Sequence, residues 1–257
     1  MTLSYVVTGF VVGILVGLTG VGGGSLMTPL LALLFGISPT VAVGTDLAFA
    51  SITKVAGTAA HRYRGTVHWN IVRLLCIGAI PASIVASLAL KHFGALDKDI
   101  AQIIRYSIAG SVLLTVVALL FRGRMQAWVQ GSPNRQLYGT NLAVATIVSG
   151  LILGTLVTVS SIGAGAIGAT LLVLLYPRLT PAEIAGTDIA YAVPLTAIAA
   201  FGHWWLGSLN WALLAMLLIG SVPGITLGSL AARAIPEKFL RGLLATTLTG
   251  VAYKLIF

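Results

Sequence analysis

Eight apolar runs limit what this chain can fold into. Ser4–Thr19, Val41–Ala60, Val67–Leu90, Ile100–Phe121, Leu142–Val159, Ile184–Phe201, Leu209–Ala232 and Phe239–Phe257 each approach or reach the ~20 residues that a helix needs to cross a bilayer. Only 8% of the residues are charged, against about 25% in an ordinary soluble domain. The chain therefore reads as an all-α polytopic membrane protein whose first partner is the lipid bilayer. MTLSYVVTGF lacks the positive leader of a secretory signal, so the first run is expected to be a retained span. The net charge of +9 does not point to nucleic acid. Its basic residues lie mostly between spans, where topology accounts for them, and no basic run interleaves with aromatics. Cys76 is the single cysteine, which excludes an intrachain disulfide.

The chain also repeats itself. Pro39 returns as Pro181, Gly44-Thr45-Asp46 as Gly186-Thr187-Asp188, His61 as His203, Trp69 as Trp211, Gly78 as Gly220 and Pro81 as Pro223, always 142 positions apart. Apolar similarity by chance would not keep Asp, His, Trp and Pro at one offset. The repeats are expected at 1–121 and 138–257, joined by a cytoplasmic linker at 122–137.

Basic residues decide between parallel and inverted halves, because they collect in inner loops. An even number of crossings per half puts seven basic residues on one side and six on the other. An odd number gathers Arg62, Arg64, Arg122, Arg124, Arg135, Arg178, Arg233, Lys238 and Arg241 on one face, leaving Lys91, Lys98, Arg105 and Lys254 on the other. The second arrangement predicts two inverted repeats of four to five helical segments, with both termini outside. HRYRGT in the first half becomes HWWLGS in the second, as expected of loops on opposite sides.

The stretch GLTGVGGGSLMTP holds Gly20, Gly22, Gly23 and Gly24 within five residues. The apolar segment that follows, Leu26–Phe35, rises only about 15 Å, half of a ~30 Å hydrocarbon core. This predicts a broken-helix hairpin with the glycines at its tip. Irregular backbone at that depth is tolerated only against protein or a water-filled cavity. Its free N–H groups and the helix beginning near Ser25 would favour an anion. No GK[ST] follows and no strand precedes, so this is no nucleotide loop. SSIGAGAIG at Ser160–Gly168 is the counterpart in the second half. Gly22, Gly23, Gly24, Ser25, Ser160, Ser161, Gly163 and Gly165 are thus candidates to line a site where two broken helices meet; close helix packing is the plainer use of the glycines.

Inside the spans, Asp46 and Asp188 are costly in hydrocarbon unless they find donors. Each is expected either to tie helix ends and loop N–H groups together or to handle protons beside the path. Thr45 and Thr187 can offer hydroxyls to a substrate or bond across helices. His61 and His203 lie 15 residues beyond the aspartates, too far to share a metal with them. They cap helix ends, or else gate or relay protons by pairing crosswise with Asp188 and Asp46. Lys54 is a cation deep in a span that would attract an anion, or pair with Asp46 or with backbone carbonyls.

GLTGVGGGSLMTPLL, VGTDLAFA, AGTDIAYAVPLT, FGHWWLGSLNW and GSVPGITLGS together resemble the TauE/SafE family of membrane proteins, over nearly the whole chain. The resemblance implies a multi-pass transporter of a bacterial or archaeal inner membrane, carrying sulfite or a sulfonate-type anion. No cofactor, metal or catalytic residue is expected, since HExxH, nucleophile-elbow and cofactor motifs are absent. A channel built on the same site is the alternative, and an intramembrane enzyme a remote one. Oligomeric state is not legible.

Overall fold

A computed structural model of the chain describes residues 2–19, 24–94, 98–131, 136–231, 242, 246, 248–250, 253 and 254. Nine helices account for most of them: α1 (Thr2–Thr19), α2 (Gly24–Phe35), α3 (Pro39–Tyr63), α4 (Trp69–His92), α5 (Lys98–Gln130), α6 (Gly139–Ser160), α7 (Ala166–Leu175), α8 (Pro181–Trp205) and α9 (Trp211–Ala231). Among the described residues there is no strand. The last apolar run, 239–257, lies mostly outside them. Among the described residues, five helices are long and apolar enough to cross a membrane: α4, α5, α6, α8 and α9. With 25 residues α3 matches α8 in length, but Asp46, Lys54, His61 and Arg62 lower its hydropathy. The architecture is that of an all-α polytopic membrane protein.

Local signals place these elements. Pro39 and Pro181 open α3 and α8, where their missing N–H costs nothing and their fixed φ suits the first turn. In α8 a capping box adds to this: Thr180 accepts from the Glu183 N–H while Glu183 accepts from the Thr180 N–H. Both helices end at a left-handed glycine, Gly65 at φ 69° and Gly207 at φ 71°. Residues 122–130, within the expected linker, continue α5, so the loss of hydropathy there marks a change of surroundings rather than a helix end.

Helices of one half pack on helices of the other. The most extensive contacts join α1 to α9, α4 to α6 and α3 to α8. Small residues make the first two possible, because lipid offers no hydrophobic drive and association depends on close approach. Gly220, Gly224 and Gly228 of α9 face the carbonyls of Val6, Phe10 and Ile14, and Gly78 of α4 faces that of Ile147. The rising order on both sides makes α1 parallel to α9. The α3–α8 pair runs the other way. Gly44, near the start of α3, lies against His203 at the end of α8, and Gly186, near the start of α8, lies against His61 at the end of α3.

Aromatic and basic groups collect at both ends of this antiparallel pair. Lys91 Nζ sits 3.2 Å from the ring centroid of Trp205, near the exposed Trp204 and Trp211, while Tyr63 and Trp69 are exposed by the other end. Such belts mark the two membrane–water boundaries.

A methyl group at Gly78 would land on the Ile147 carbonyl, whereas one at Gly110 in α5 meets nothing within 4 Å. Gly78→Ala is expected to lower stability by about 1–3 kcal/mol or more, and Gly110→Ala to raise it by about 0.5–1 kcal/mol. Unfolding midpoints in detergent check both signs.

Candidate functional site

The second broken helix is fully enclosed. Residues 160–168 are buried throughout, so their backbone must find partners within the protein. α6 ends at Ser160, and Ser161 turns the chain with φ 60°. Gly163 and Gly165 follow at φ 133° and 144°, a region open to glycine and strained for other residues. Ser160 is spent locally, its hydroxyl donating to the Leu156 carbonyl (2.7 Å) and accepting from the Ile162 N–H (3.2 Å). α7 then starts at Ala166 and, at ten residues, rises about 15 Å, too short to cross.

Two aspartates and a lysine meet at this loop. Asp46 of α3 is 0% exposed. Its Oδ2 accepts from Thr28 Oγ1 of α2 (2.5 Å) and from Ser161 Oγ (2.9 Å). One carboxylate oxygen thus ties the α2–α3 pair of the first half to the loop of the second. Its other oxygen, Oδ1, is buried with no hydrogen-bond partner. Asp188 of α8 lies beside the start of α7, where the Gly165 backbone N–H acts favourably on its carboxylate and the helix dipole favours a negative charge. Its Oδ1 is unpartnered too. A Cβ on Gly168 would fall within 3.0 Å of both that oxygen and Tyr191 Oη, so only glycine lets Asp188 lie against α7.

Lys54 lies two turns beyond Asp46 and is buried. Its ammonium donates to the Ala164 carbonyl at 3.0 Å and acts electrostatically on both carboxylates. Its repeat counterpart Thr196 merely donates to the Ala192 carbonyl of its own helix (2.8 Å). The cluster is therefore asymmetric: each half supplies one carboxylate, the buried ammonium comes from the first half, and Arg122 also acts electrostatically on Asp188.

Thr45 and Thr187 are not in the cluster. Each hydroxyl accepts a backbone N–H from the other half, Thr45 from Asn210 (3.2 Å) and Thr187 from His68 (3.1 Å). His61 and His203 stand at the two ends of the α3–α8 pair. Nδ1 of His61 lies 2.8 Å from Thr66 Oγ1, and Nδ1 of His203 lies 3.0 Å from Ser208 Oγ. Nε2 of His203 also donates to the Thr158 carbonyl at 2.9 Å. The crosswise partners of the histidines are thus Gly186 and Gly44; neither ring bonds to an aspartate. Gly22 and Gly23 lie outside the described residues, while Gly24 and Ser25 form the first turn of α2.

Sequence reasoning missed Thr28, Tyr191, Gly168 and the pairs His61–Thr66 and His203–Ser208. Some carried a signal. Thr28 repeats as Thr170, and Thr66 as Ser208, at the same 142-residue offset.

Comparison with known proteins now decides the lineage. Residues 5–255 match the family described as Sulfite exporter TauE/SafE. The chain belongs to the TauE/SafE family. It is 36% identical over 258 residues to the probable membrane transporter protein YjnA of Bacillus subtilis, covering 100% of both chains. It is 27% identical over 252 residues to YdhB of the same organism, also a probable membrane transporter protein, covering 96% of this chain and 97% of that one. A probable membrane transporter protein of Xylella fastidiosa is 28% identical over 234 residues, covering 88% of this chain and 82% of its own. No solved structure matches. This TauE/SafE member is a multi-pass membrane transport protein.

Ser161→Ala removes one of two hydroxyl donors on Asp46 Oδ2 and should cost about 1–3 kcal/mol. Combined with Asp46→Asn, it should cost less than the two single losses summed, since both act on one contact. Chemical unfolding of the four proteins in detergent measures the difference.

Proposed function

We propose that this chain carries a small anion of oxidised sulfur, sulfite or an organosulfonate, across the inner membrane by alternating access between two inverted halves. The observation that carries this reading is Lys54: a buried ammonium held at 3.0 Å on the carbonyl of Ala164, in the turn of a broken helix. A cation retained in such a place has a use for negative charge. The Gly168 and Ala169 N–H groups at the start of α7 bond to the Gly163 and Gly165 carbonyls, and the positive end of the helix dipole there also favours an anion. The antiparallel α3–α8 pair, with matched contacts at its ends, supports the inverted arrangement, and the family's description as a sulfite exporter supports the substrate class.

Charge counting sets a condition on the mechanism. With Asp46 and Asp188 both ionised and Lys54 protonated, these three groups sum to −1, offset in part by Arg122 acting on Asp188, and they disfavour an anion. One proton on either carboxylate makes that sum neutral, and a second makes it +1. The anion then replaces Asp188 as the negative partner of Lys54 and of the α7 N-terminus. A proton accompanies each anion through the site. Rocking of one half against the other exposes the cluster to the two sides in turn, with the ends of the α3–α8 pair as its seals.

Reconstituted protein should show saturable sulfite uptake and counterflow. Lys54→Met is expected to lower flux at least about 100-fold, the loss of a charge-assisted contact, with Lys54→Arg retaining part of it. Wild-type flux from a folded Lys54→Met protein would remove the basis of the reading. Unsaturable, voltage-driven current would make the protein a channel instead.

A further inference from the structure

The two ends of the α3–α8 pair are built alike and then diverge at one position. At both, the histidine ring meets a hydroxyl five residues on, and a threonine hydroxyl accepts a backbone N–H from the other half. Asn210 and His68 are repeat counterparts there, each at the entry to the next helix. Asn210 uses its side chain locally, Oδ1 accepting from the Leu213 N–H at 3.0 Å. His68 makes no side-chain cap to α4. Its Nε2 instead donates to Glu183 Oε1 of the second half at 2.9 Å, with the two side chains 40% and 29% exposed. Glu183 is held ready for this, because its other oxygen accepts from the Thr180 N–H and hydroxyl, both at 2.8 Å. Glu183 corresponds in the first half to Val41, which can accept nothing.

The packing differs in the same sense. His203 is 0% exposed and has both ring nitrogens engaged, whereas His61 is only half-buried. One end is thus closed around a fully buried histidine. The other is wetter and carries the direct carboxylate–imidazole pair between the halves. An exposed pair of this kind is weak, as a contact that must break in every cycle needs to be.

We propose that the His68–Glu183 pair is a releasable tie that holds shut the end of the transporter nearest Arg62 and Arg64, and that its rupture opens the Asp46–Lys54–Asp188 cluster to that side. This rests on the reading of the cluster as the transport site. His68 and Glu183 act as positioning residues: they touch no substrate, and they set how often one end is open.

Accessibility measures this directly. Ile189 follows Asp188 and lies against Gly57 of α3, where an added Cβ would meet it at 3.4 Å, on the side of the tie; its counterpart at the opposite end is Leu47. Ile189→Cys and Leu47→Cys, each in a Cys76→Ala background in lipid nanodiscs, report the two ends through a charged thiol reagent. Glu183→Gln keeps the capping pattern but removes the charge, and His68→Asn installs the residue found at the other end. Each should speed labelling at position 189 about two- to fivefold, the shift expected from losing one partly exposed pair. The double variant should do no more than either alone, and labelling at position 47 should not rise. Unchanged labelling at 189 in both folded single variants, additive effects in the double, or an equal rise at 47 would each overturn the tie. Labelling needs no substrate, so absence of sulfite flux in the unmodified protein would sink the proposed function and leave this result standing.

Discussion

A peptide group inside a bilayer has no water to bond with, and every break in a helix there must be answered by the protein itself. The turn at Ser161–Gly165 meets that demand with polar groups drawn from α3 and α8. Lys54 takes the Ala164 carbonyl, Asp46 takes the Ser161 hydroxyl, and Asp188 lies against the start of α7 at Gly168. The same residues that satisfy the break therefore bring two carboxylates and an ammonium into one enclosed place. A structural need and a binding capacity arise from a single set of contacts.

That set can exist only because the surrounding helices come close enough to exclude lipid. Glycines on α4 and α9 let α6 and α1 approach to carbonyl contact, and both pairings cross from one half to the other. Neither half encloses its own polar residues. Asp46 needs the second half's Ser161, and Asp188 needs the first half's Lys54. Interlocking of this kind makes relative movement of the halves a change at the site itself, which is what a transport cycle by alternating exposure uses.

The repeats share a frame and differ in chemistry. Helix-opening prolines, the Gly-Thr-Asp triplets, the histidines and the terminal glycines keep their register across both copies. Several polar groups do not: Lys54 corresponds to Thr196, Tyr191 to Phe49 and Glu183 to Val41. Frame positions are held by backbone geometry, which is the same in both copies. Polar positions are held by what they meet, and that differs between the copies.

Much was legible in the chain alone. Apolar run length, the 142-residue offset, prolines at helix starts and glycines at helix ends are local or periodic properties, readable without knowing what lies opposite. They determined an all-α membrane protein in two related halves, the existence of a broken helix, and Asp46, Asp188 and Lys54 as its costly residues. Tertiary structure decided the rest. Thr45 and Thr187 became fastenings between halves, the helix-end histidines took Thr66 and Ser208 as partners, and Thr28 entered the cluster unannounced. Asp46 meets one partner 18 residues away and another 115 away. Such a meeting depends on three elements arriving at one point, which no spacing along the chain records.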